Sequence, residues 1–311
     1  MRINNKIIPS PFNYSGGKYK LLPQLLPLFP NDVKLFADLF SGGGNVGINV
    51  NAEKVLLNDT DNNLVNLYLL FNKLDEETIF NKIFETIEKY KLSRSDLHDY
   101  SFYNCDSANG LMPYNKEKYL LLRKDFNSLK RKDEEYYLLL YVIIVFSFNN
   151  QIRFNSKGEF NLPIGKRDFN KCMQKKLFDF IYRIKEDRFV FDNKSFDNVD
   201  NTDWDENTFV YCDPPYLITC ATYNEQNKWN EQFEKKLLNF LDMLTERNIK
   251  FALSNVIKSK GKENRFLQEW LTKNKNRYSV VNLDFNYANS NYRTKDRSKS
   301  TNEVLILNYR K

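Results

Sequence analysis

Two short apolar segments on either side of a glycine-rich turn constrain the fold more than any other feature of this sequence. Residues 34–40 (KLFADLF) predict a buried strand, SGGG at 41–44 ends it, and residues 54–59 (KVLLND) predict a second strand. We expect residues 45–52 between them to begin a helix and Asp61 to cap the helix after the second strand. Strand, helix and strand in this order predict a βαβ unit, which requires a parallel sheet.

The α/β pattern resumes at residue 187, after a middle segment in which helical patterns dominate. Further strands are predicted at 187–192, 207–213, 250–255, 278–285 and 302–309. Between 75 and 186, amphipathic or apolar helical patterns dominate, at 76–90, 117–130 and 134–146, and a β-hairpin is predicted around SKG at 156–158. We therefore expect one domain from residues 1–74 and 187–311, with 75–186 as an inserted, mostly helical subdomain that carries the hairpin.

Composition excludes several classes of protein. The chain has 311 residues, 41% of them hydrophobic and 28% charged, which is ordinary for a globular protein and argues against disorder. The longest apolar run, Tyr136 to Phe148, is too short to span a bilayer and predicts a buried helix. A single histidine, His98, excludes Ser-His-Asp catalysis and most histidine-based zinc sites. The net charge of +7 suits a polyanionic partner without requiring one.

Cysteine usage and the first residues bear on location. Four cysteines without framework spacing predict a reducing, cytoplasmic environment, and the N-terminal residues lack the apolar core of a signal peptide. These cysteines are Cys105, Cys172, Cys212 and Cys220.

The first candidate site is DLFSGGG at 38–44. Glycines after a strand allow the backbone to approach a ligand at the mouth of the sheet. Asp59 follows the next strand, where a carboxylate can accept hydrogen bonds from ribose hydroxyls. The spacing matches neither GxGxxG nor GxxxxGK[ST], so an adenosine ligand other than a nicotinamide cofactor or hydrolysed ATP is favoured.

The second candidate site is DPPY at 213–216, which follows the strand at 207–213. Two prolines end the strand and hold Asp213 extended at the edge of the sheet where α/β folds bind ligands. A carboxylate, the Pro214 carbonyl and the ring of Tyr216 then lie together. Such a group suits a planar base with an exocyclic amino group.

Two further motifs carry weaker signals. FNYSGGK at 12–18 combines a Gly-Gly turn with Tyr14 and Lys18, which can clasp a carboxylate and a sulfonium-bearing tail. The predicted hairpin offers side chains that read base edges, wedge into a base stack or contact phosphates. These side chains belong to Arg153, Phe154, Asn155, Lys157 and Lys166.

Together, FNYSGGK, DLFSGGG, LLND, DPPY and the RFNxxGxFNxPxG hairpin resemble the Dam-type, D12 class, alpha group of adenine-N6 DNA methyltransferases, from about residue 9 to residue 309. The resemblance implies a Rossmann-like α/β fold of the S-adenosylmethionine-dependent methyltransferases, with seven strands and the last antiparallel. It implies methyl transfer from S-adenosylmethionine, without a metal, to N6 of a flipped adenine in a short double-stranded DNA site. The insertion at 75–186 would then be the target-recognition subdomain.

The resemblance also implies residue roles. Tyr14 and Lys18 would contact the methionine end of the cofactor, and Asp59 would hold the ribose. The cofactor-binding set would be completed by Asp38, Gly42, Gly44, Phe196 and Asp213. Asp213 and the Pro214 carbonyl would accept hydrogen bonds from the target amino group, and Tyr216 would stack on the flipped base.

Other functions stay open at this point. A cytosine-N4 methyltransferase presents the same chemistry, although Asp before PPY favours adenine. A methyltransferase acting on amino groups of RNA and a non-catalytic DNA-binding protein on the same fold are further alternatives. We expect a monomer that acts either as a solitary methylase or beside a separate cognate restriction endonuclease.

Overall fold

The computed structural model describes residues 6–14, 16–218, 229–259, 261–284 and 302–310. It contains two compact units. One comprises Met1–Gly17, Gly42–Ile48 and Asp61–Asp187, and the other comprises Lys18–Ser41, Asn49–Thr60 and Arg188–Lys311. The predicted division at 75–186 stays a prediction; the structural units differ from it by grouping residues 1–17, 42–48 and 61–74 with the helices.

The second unit contains the sheet, whose strands are β1 (Leu35–Asp38), β2 (Lys54–Asn58), β3 (Phe189–Asp192), β4 (Thr208–Cys212), β5 (Lys250–Ser259), β6 (Lys262–Glu263), β7 (Ser279–Leu283) and β8 (Asn302–Leu307). Their order is β3-β2-β1-β4-β5-β8-β7, and the two-residue β6 pairs with β5. The first five strands run parallel, and β8 is antiparallel to β5 and β7. The predicted sheet, with its final antiparallel strand, is confirmed.

Among the described residues, the α-helices of the sheet unit are α1 (Leu22–Leu25), α7 (Glu231–Glu246) and α8 (Arg265–Lys273). Asn230 caps α7 by accepting hydrogen bonds from two backbone N–H groups of its first turn, and Asn264 caps α8 in a similar way. The apolar face of α7 joins the buried core beside β5. The sheet is thereby fixed as a rigid support for the turns at its carboxyl end.

The first unit is helical and is built around one buried helix. Its helices are α2 (Asn62–Lys73), α3 (Glu76–Lys89), α4 (Met112–Ser128), α5 (Glu134–Phe146) and α6 (Lys171–Ile184). Every side chain of α5 from Tyr136 to Phe146 is buried, because α2, α3 and α4 all pack on it. Each fully buried large apolar side chain contributes about 1.5–3 kcal/mol. The predicted buried helix and the Asp61 cap are both confirmed.

Two local predictions differ from the structure. The predicted helix at 45–52 is wrong, since the segment forms a 3-10 turn at Gly47–Asn49. Glycine and β-branched residues there have low helix propensity, and the segment is too short to overcome it. The turn at the predicted hairpin is confirmed, but its strands reduce to a single bridge between Phe154 and Phe160.

The helix α6 has no counterpart among the predicted elements. Leu177, Phe180, Ile181 and Ile184 repeat at helical spacing after Asn170, which caps the helix. This signal was present in the sequence.

Candidate active site

The carboxyl ends of three neighbouring strands bring the predicted acidic residues to one edge of the sheet. In the parallel register, Asp38 at the end of β1 lies beside Leu57 of β2 and Tyr211 of β4. Asp59 and Asp213 each follow those partners by two residues. Asp38 and Asp59 are buried, and the Asp213 side chain is 18% exposed. Three of the predicted site residues therefore share the edge where open α/β sheets bind ligands.

Asn58 stabilises this edge of the sheet through hydrogen bonds of its side chain. The sequence did not indicate this role. Its amide nitrogen donates to the carbonyls of Leu39, at 2.9 Å, and Lys194, at 3.0 Å. Its amide oxygen accepts a hydrogen bond from the Lys194 N–H. The Asp59 backbone is held by contacts with Asp192 and Asn193. The backbone that carries the Asp59 carboxylate is thus fixed by hydrogen bonds on both its N–H and its C=O, as a ribose-binding group requires.

The DPPY turn contains a hydrogen-bonded charge cluster. Lys18 Nζ lies 2.8 Å from Asp213 Oδ2, and the Tyr216 hydroxyl donates to Asp213 Oδ1 at 2.9 Å. Lys18 is only 4% exposed, and its ammonium lies 5.1 Å from the centre of the Tyr216 ring. Pro214, which follows Asp213 in the sequence, is buried. The structure therefore brings Lys18 to the predicted catalytic carboxylate, a contact that the sequence did not indicate.

Glu303 on β8 completes the cluster and was also missed. Its Oε1 lies 3.4 Å from Lys18 Nζ and accepts a hydrogen bond from the Tyr216 hydroxyl at 3.1 Å. The side chain is 1% exposed. In the sequence, Glu303 is one acidic residue near the start of an apolar strand, and no motif distinguishes it from a solvent-facing position.

Burial governs the titration of this cluster. Burial raises the pKa of Asp213, and the nearby charge of Glu303 raises it further, while Lys18 and the Tyr216 hydroxyl oppose the rise. Burial and the Asp213 charge raise the pKa of Tyr216 well above its ordinary value. The phenol therefore stays protonated and acts as a donor. An ionised carboxylate can accept about four hydrogen bonds, so Asp213 retains capacity for a substrate donor.

Phe196 lies in an aromatic cluster beside the sheet edge. Its ring centroid is 5.5 Å from Phe40 and 6.0 Å from Trp229, and the latter two rings are 5.6 Å apart. Phe196 itself is 2% exposed, whereas Phe40 and Trp229 are half-buried. The predicted cofactor-adenine surface is thus an aromatic group, in which Phe40 and Trp229 present more surface than Phe196.

Within the helical unit, Tyr14 packs against the glycine turn. Gly42 has a φ of +48°, and a Cβ there would lie 2.9 Å from Tyr14 Cδ1. Gly44 also has positive φ, and the Tyr68 hydroxyl donates to the Gly42 carbonyl. Only glycine meets both the conformation and the close approach at Gly42. Tyr14 and Gly42 are therefore in contact, and the cofactor-binding roles of Tyr14, Gly42 and Gly44 stay predictions.

The predicted base-reading residues lie in the tight loop of the helical unit. Arg153 is exposed, and its Nε donates to Asn161 Oδ1 at 2.8 Å. Asn155 Oδ1 accepts backbone hydrogen bonds from Lys157 and Glu159, both at 3.0 Å. Asn155 thus organises the turn, which leaves Arg153 as the better candidate for reading a base.

The other predicted DNA contacts have different surroundings. Phe154 packs edge-on against Phe160 and near Phe126, so its ring is part of a small cluster. Lys157 is exposed at the loop tip, and Lys166 donates to the Ala108 carbonyl at 2.6 Å. The segment 153–176 carries seven basic and two acidic residues, which favours contact with a polyanion. The DNA-binding roles remain predictions.

The described residues fit the cofactor that the predicted reaction requires. Within the sheet unit, the Asp59 carboxylate suits ribose hydroxyls and the aromatic cluster of Phe40, Phe196 and Trp229 suits an adenine ring, which are two parts of S-adenosylmethionine. Among the described residues, no group of three or more His, Cys, Asp or Glu side chains is arranged to hold a metal ion. No helix within those ranges is long and apolar enough to cross a membrane. Cys105, Cys172 and Cys212 are free thiols, and Cys220 lies outside the described residues.

A mostly parallel sheet with an antiparallel end and acidic residues at the ends of β1, β2 and β4 defines the class of S-adenosylmethionine-dependent methyltransferases. Residues 14–288 match the family model described as D12 class N6 adenine-specific DNA methyltransferase. The chain belongs to this family, which implies S-adenosylmethionine as the methyl donor.

Several relatives share this family. The chain is 39% identical to modification methylase StsI of Streptococcus sanguinis and 40% identical to type II methyltransferase M.FokI of Planomicrobium okeanokoites. Each match covers 98% of this chain but 43% of the relative, so the chain spans less than half the length of these curated relatives. It is also 24% identical to the DNA adenine methylase of Escherichia coli K12, over 78% of both chains.

Proposed function

We propose that this chain is a site-specific DNA methyltransferase that transfers a methyl group from S-adenosylmethionine to N6 of adenine in a short duplex DNA site. The observation that carries the proposal is the geometry of Asp213, a partly buried carboxylate fixed at the end of β4 by Lys18 and the Tyr216 hydroxyl. Family membership and the match to modification methylases support the same reaction.

The chemistry asks the protein to activate a weak nucleophile. An exocyclic amino nitrogen delocalises its lone pair into the ring, and a hydrogen bond to an ionised carboxylate draws its proton away and localises that pair. Asp213 supplies the carboxylate, and the Pro214 carbonyl supplies a second acceptor. When bound, S-adenosylmethionine supplies a methyl group on a sulfonium centre, which needs no metal. In-line orientation of reactants can account for about 7–11 kcal/mol of the barrier reduction.

The target base has to leave the duplex to reach this carboxylate. Base flipping costs about a few kcal/mol and exposes a planar ring that aromatic side chains can hold. We assign that stacking to Tyr216, whose hydroxyl is fixed by two carboxylates so that the ring has one orientation. The remaining cofactor roles follow the sequence resemblance: Tyr14 and Lys18 at the methionine end, and Asp59 at the ribose.

Duplex DNA is the proposed partner of the helical unit. Its exposed loop presents Arg153 for a base edge and Lys157 for a phosphate, within a segment rich in basic residues. Because two relatives are named a modification methylase and a type II methyltransferase, we propose that the methylation protects DNA from a cognate endonuclease that acts separately. We expect the chain to act as a monomer in the cytoplasm, where genomic DNA is accessible.

The test is single-molecule sequencing of unmethylated plasmid DNA incubated with the protein and S-adenosylmethionine. We expect N6-methyladenine at one short motif, which would also give the recognition sequence. Asp213→Asn should lower kcat by about 10²–10⁴-fold, since the acceptor loses its charge. Lys18 keeps Glu303 as a counter-ion in this variant, so the fold should persist.

Other modification patterns would change the assignment. Detection of N4-methylcytosine would leave the mechanism unchanged but would make cytosine the target base. Methylation of RNA alone would make RNA, and not DNA, the substrate. DNA binding without any methyl transfer would identify a non-catalytic member of the fold and refute the proposal.

A further inference from the structure

Glu303 is a buried carboxylate at the candidate site that no recognised motif contains. It lies on β8, next to Val256 of β5 in the antiparallel register, and is 1% exposed. A buried carboxylate costs several kcal/mol unless charged or hydrogen-bonding partners compensate it. Its compensation comes from Lys18, at 3.4 Å, and the Tyr216 hydroxyl, at 3.1 Å, which are the same two groups that bind Asp213.

The two carboxylates therefore compete for one ammonium. Lys18 Nζ is closer to Asp213 Oδ2, at 2.8 Å, than to Glu303 Oε1. When all three groups are ionised, the cluster carries one net negative charge. Without Glu303, the charge of Lys18 would be available to Asp213 alone. A carboxylate whose charge is fully compensated by an ion pair is a weaker acceptor for the hydrogen of an amino group.

The phenol of Tyr216 links the carboxylates through a second path. The Tyr216 hydroxyl oxygen lies 2.9 Å from Asp213 Oδ1 and 3.1 Å from Glu303 Oε1, so its single proton is shared between the two carboxylates. A donor shared in this way is not drawn wholly onto Asp213. The contact also fixes the rotation of the ring that we assign to base stacking.

We propose that Glu303 is a positioning residue for methyl transfer: it shares Lys18 and the Tyr216 hydroxyl with Asp213, so that the ionised Asp213 carboxylate is not fully compensated and keeps its acceptor strength and orientation for the target amino group. This inference rests on the function proposed above. It adds a residue from β8, at the antiparallel end of the sheet, to a site otherwise built from the DPPY turn and Lys18.

The charged and titratable groups around Asp213 define the pH behaviour. Lys18, Glu303 and Tyr216 contact it or its partners, and Tyr211 of β4, whose hydroxyl bonds Ser254, is close enough to feel the Asp213 charge. Asp38 acts on Tyr211 from β1. Because the Glu303 charge raises the pKa of Asp213, a neutral residue at 303 lowers that pKa.

The variant that tests the proposal is Glu303→Gln, which removes the charge and keeps the shape. The matched control is Asp242→Asn, which also neutralises a carboxylate that accepts from a tyrosine hydroxyl, here Tyr278 at 2.5 Å, away from the site. Glu303→Met, uncharged and of similar length, carries the same expectation if Gln is not accommodated. Glu303→Asp restores the charge and should recover part of the activity.

We expect Glu303→Gln to lower kcat at least tenfold, with Kd for S-adenosylmethionine and for DNA unchanged within twofold. The acidic limb of its kcat–pH profile should move to lower pH, which damage to the fold alone would not produce. Asp242→Asn should lower Tm only. A folded Glu303→Gln or Glu303→Met with normal kcat and an unmoved acidic limb overturns the proposal.

A second readout separates this inference from the proposed function. If the wild-type protein methylates no nucleic acid, the proposed function fails by itself. The charge relationship is then judged by NMR titration of ¹³C-labelled aspartate carboxyls, with the Asp213 signal assigned from its loss in Asp213→Asn. A titration midpoint that falls in Glu303→Gln supports the shared-ammonium arrangement, and an unchanged midpoint refutes it.

Discussion

Lys18 and Asp213 form an ion pair at the end of β4, with Nζ 2.8 Å from Oδ2 and the lysine 4% exposed. The two residues come from separate sequence motifs to which different tasks were assigned, one at the cofactor tail and one at the target base. The pair joins these motifs in a single electrostatic unit. A change at Lys18 is therefore expected to alter the pKa of Asp213 in the other motif.

Lys18→Met should destabilise the protein in a pH-dependent way. Removing one partner of a buried ion pair costs about 3–5 kcal/mol, because here two carboxylates lose their ammonium. The pKa of Asp213 is already raised in the folded state, and loss of Lys18 raises it further. Ionisation of Asp213 then costs stability as pH rises through that folded value.

The deficit of Lys18→Met relative to wild type should consequently shrink as pH falls from 8 toward 5. Urea unfolding at both pH values measures it, with Asp242→Asn as the control for loss of a charge elsewhere in the unit. An equal deficit at both pH values would show that Lys18 does not compensate Asp213.

Asp59→Asn should weaken the binding of S-adenosylmethionine while leaving DNA affinity intact. A hydrogen bond to a charged group contributes about 1.5–3 kcal/mol, so Kd should rise by roughly tenfold or more. The backbone of Asp59 is held by hydrogen bonds to Asp192 and Asn193, and asparagine keeps the size of the side chain, so the fold should tolerate the change. Calorimetry with the cofactor and fluorescence anisotropy with DNA measure the two affinities. Unchanged cofactor binding would remove Asp59 from the ribose site.

Most of the sheet could be predicted from the sequence because β1, β2, β3, β4, β7 and β8 are short, largely apolar runs that end at or just before Asn or Asp. Parallel strands place their carboxyl ends together, so Asp38, Asp59 and Asp213 could be assigned to one edge before any coordinates. The prediction failed at 45–52, where a short segment with glycine and β-branched residues of low helix propensity forms a 3-10 turn instead of an α-helix.

The internal partners of the site could not be predicted. Glu303 reaches Lys18 only because β8 inserts between β5 and β7, and strand order is a property of the tertiary fold. Asn155 resembled a base-reading amide, yet its oxygen accepts two backbone hydrogen bonds of its own turn. Local sequence indicates the chemistry of a side chain but not which partner satisfies it.

Gly42→Ala should cost both stability and cofactor affinity. A left-handed backbone costs an L-residue about 1–2 kcal/mol, and the new Cβ would lie 2.9 Å from the Tyr14 ring. Gly261→Ala is the matched control, because Gly261 has a φ of +82° and nothing within 4 Å of its added Cβ. Both variants should lose Tm, but only Gly42→Ala should bind S-adenosylmethionine at least tenfold more weakly. Equal cofactor affinity in the two variants would contradict a ligand-binding role for the Tyr14–Gly42 contact.

Arg153→Ala should relax sequence discrimination at one base pair of the recognition site. Arg153 is exposed and contacts Asn161 through two of its nitrogens, which leaves further N–H donors of its fork for the edge of a guanine. Loss of a bidentate base contact costs about 1–3 kcal/mol at that pair and little elsewhere. Lys157→Ala is the comparison, since a phosphate contact should weaken all sequences alike and reduce the salt slope by about one. Binding of every single-base variant of the site at two salt concentrations separates these outcomes, and a uniform loss in Arg153→Ala would make Arg153 a phosphate contact.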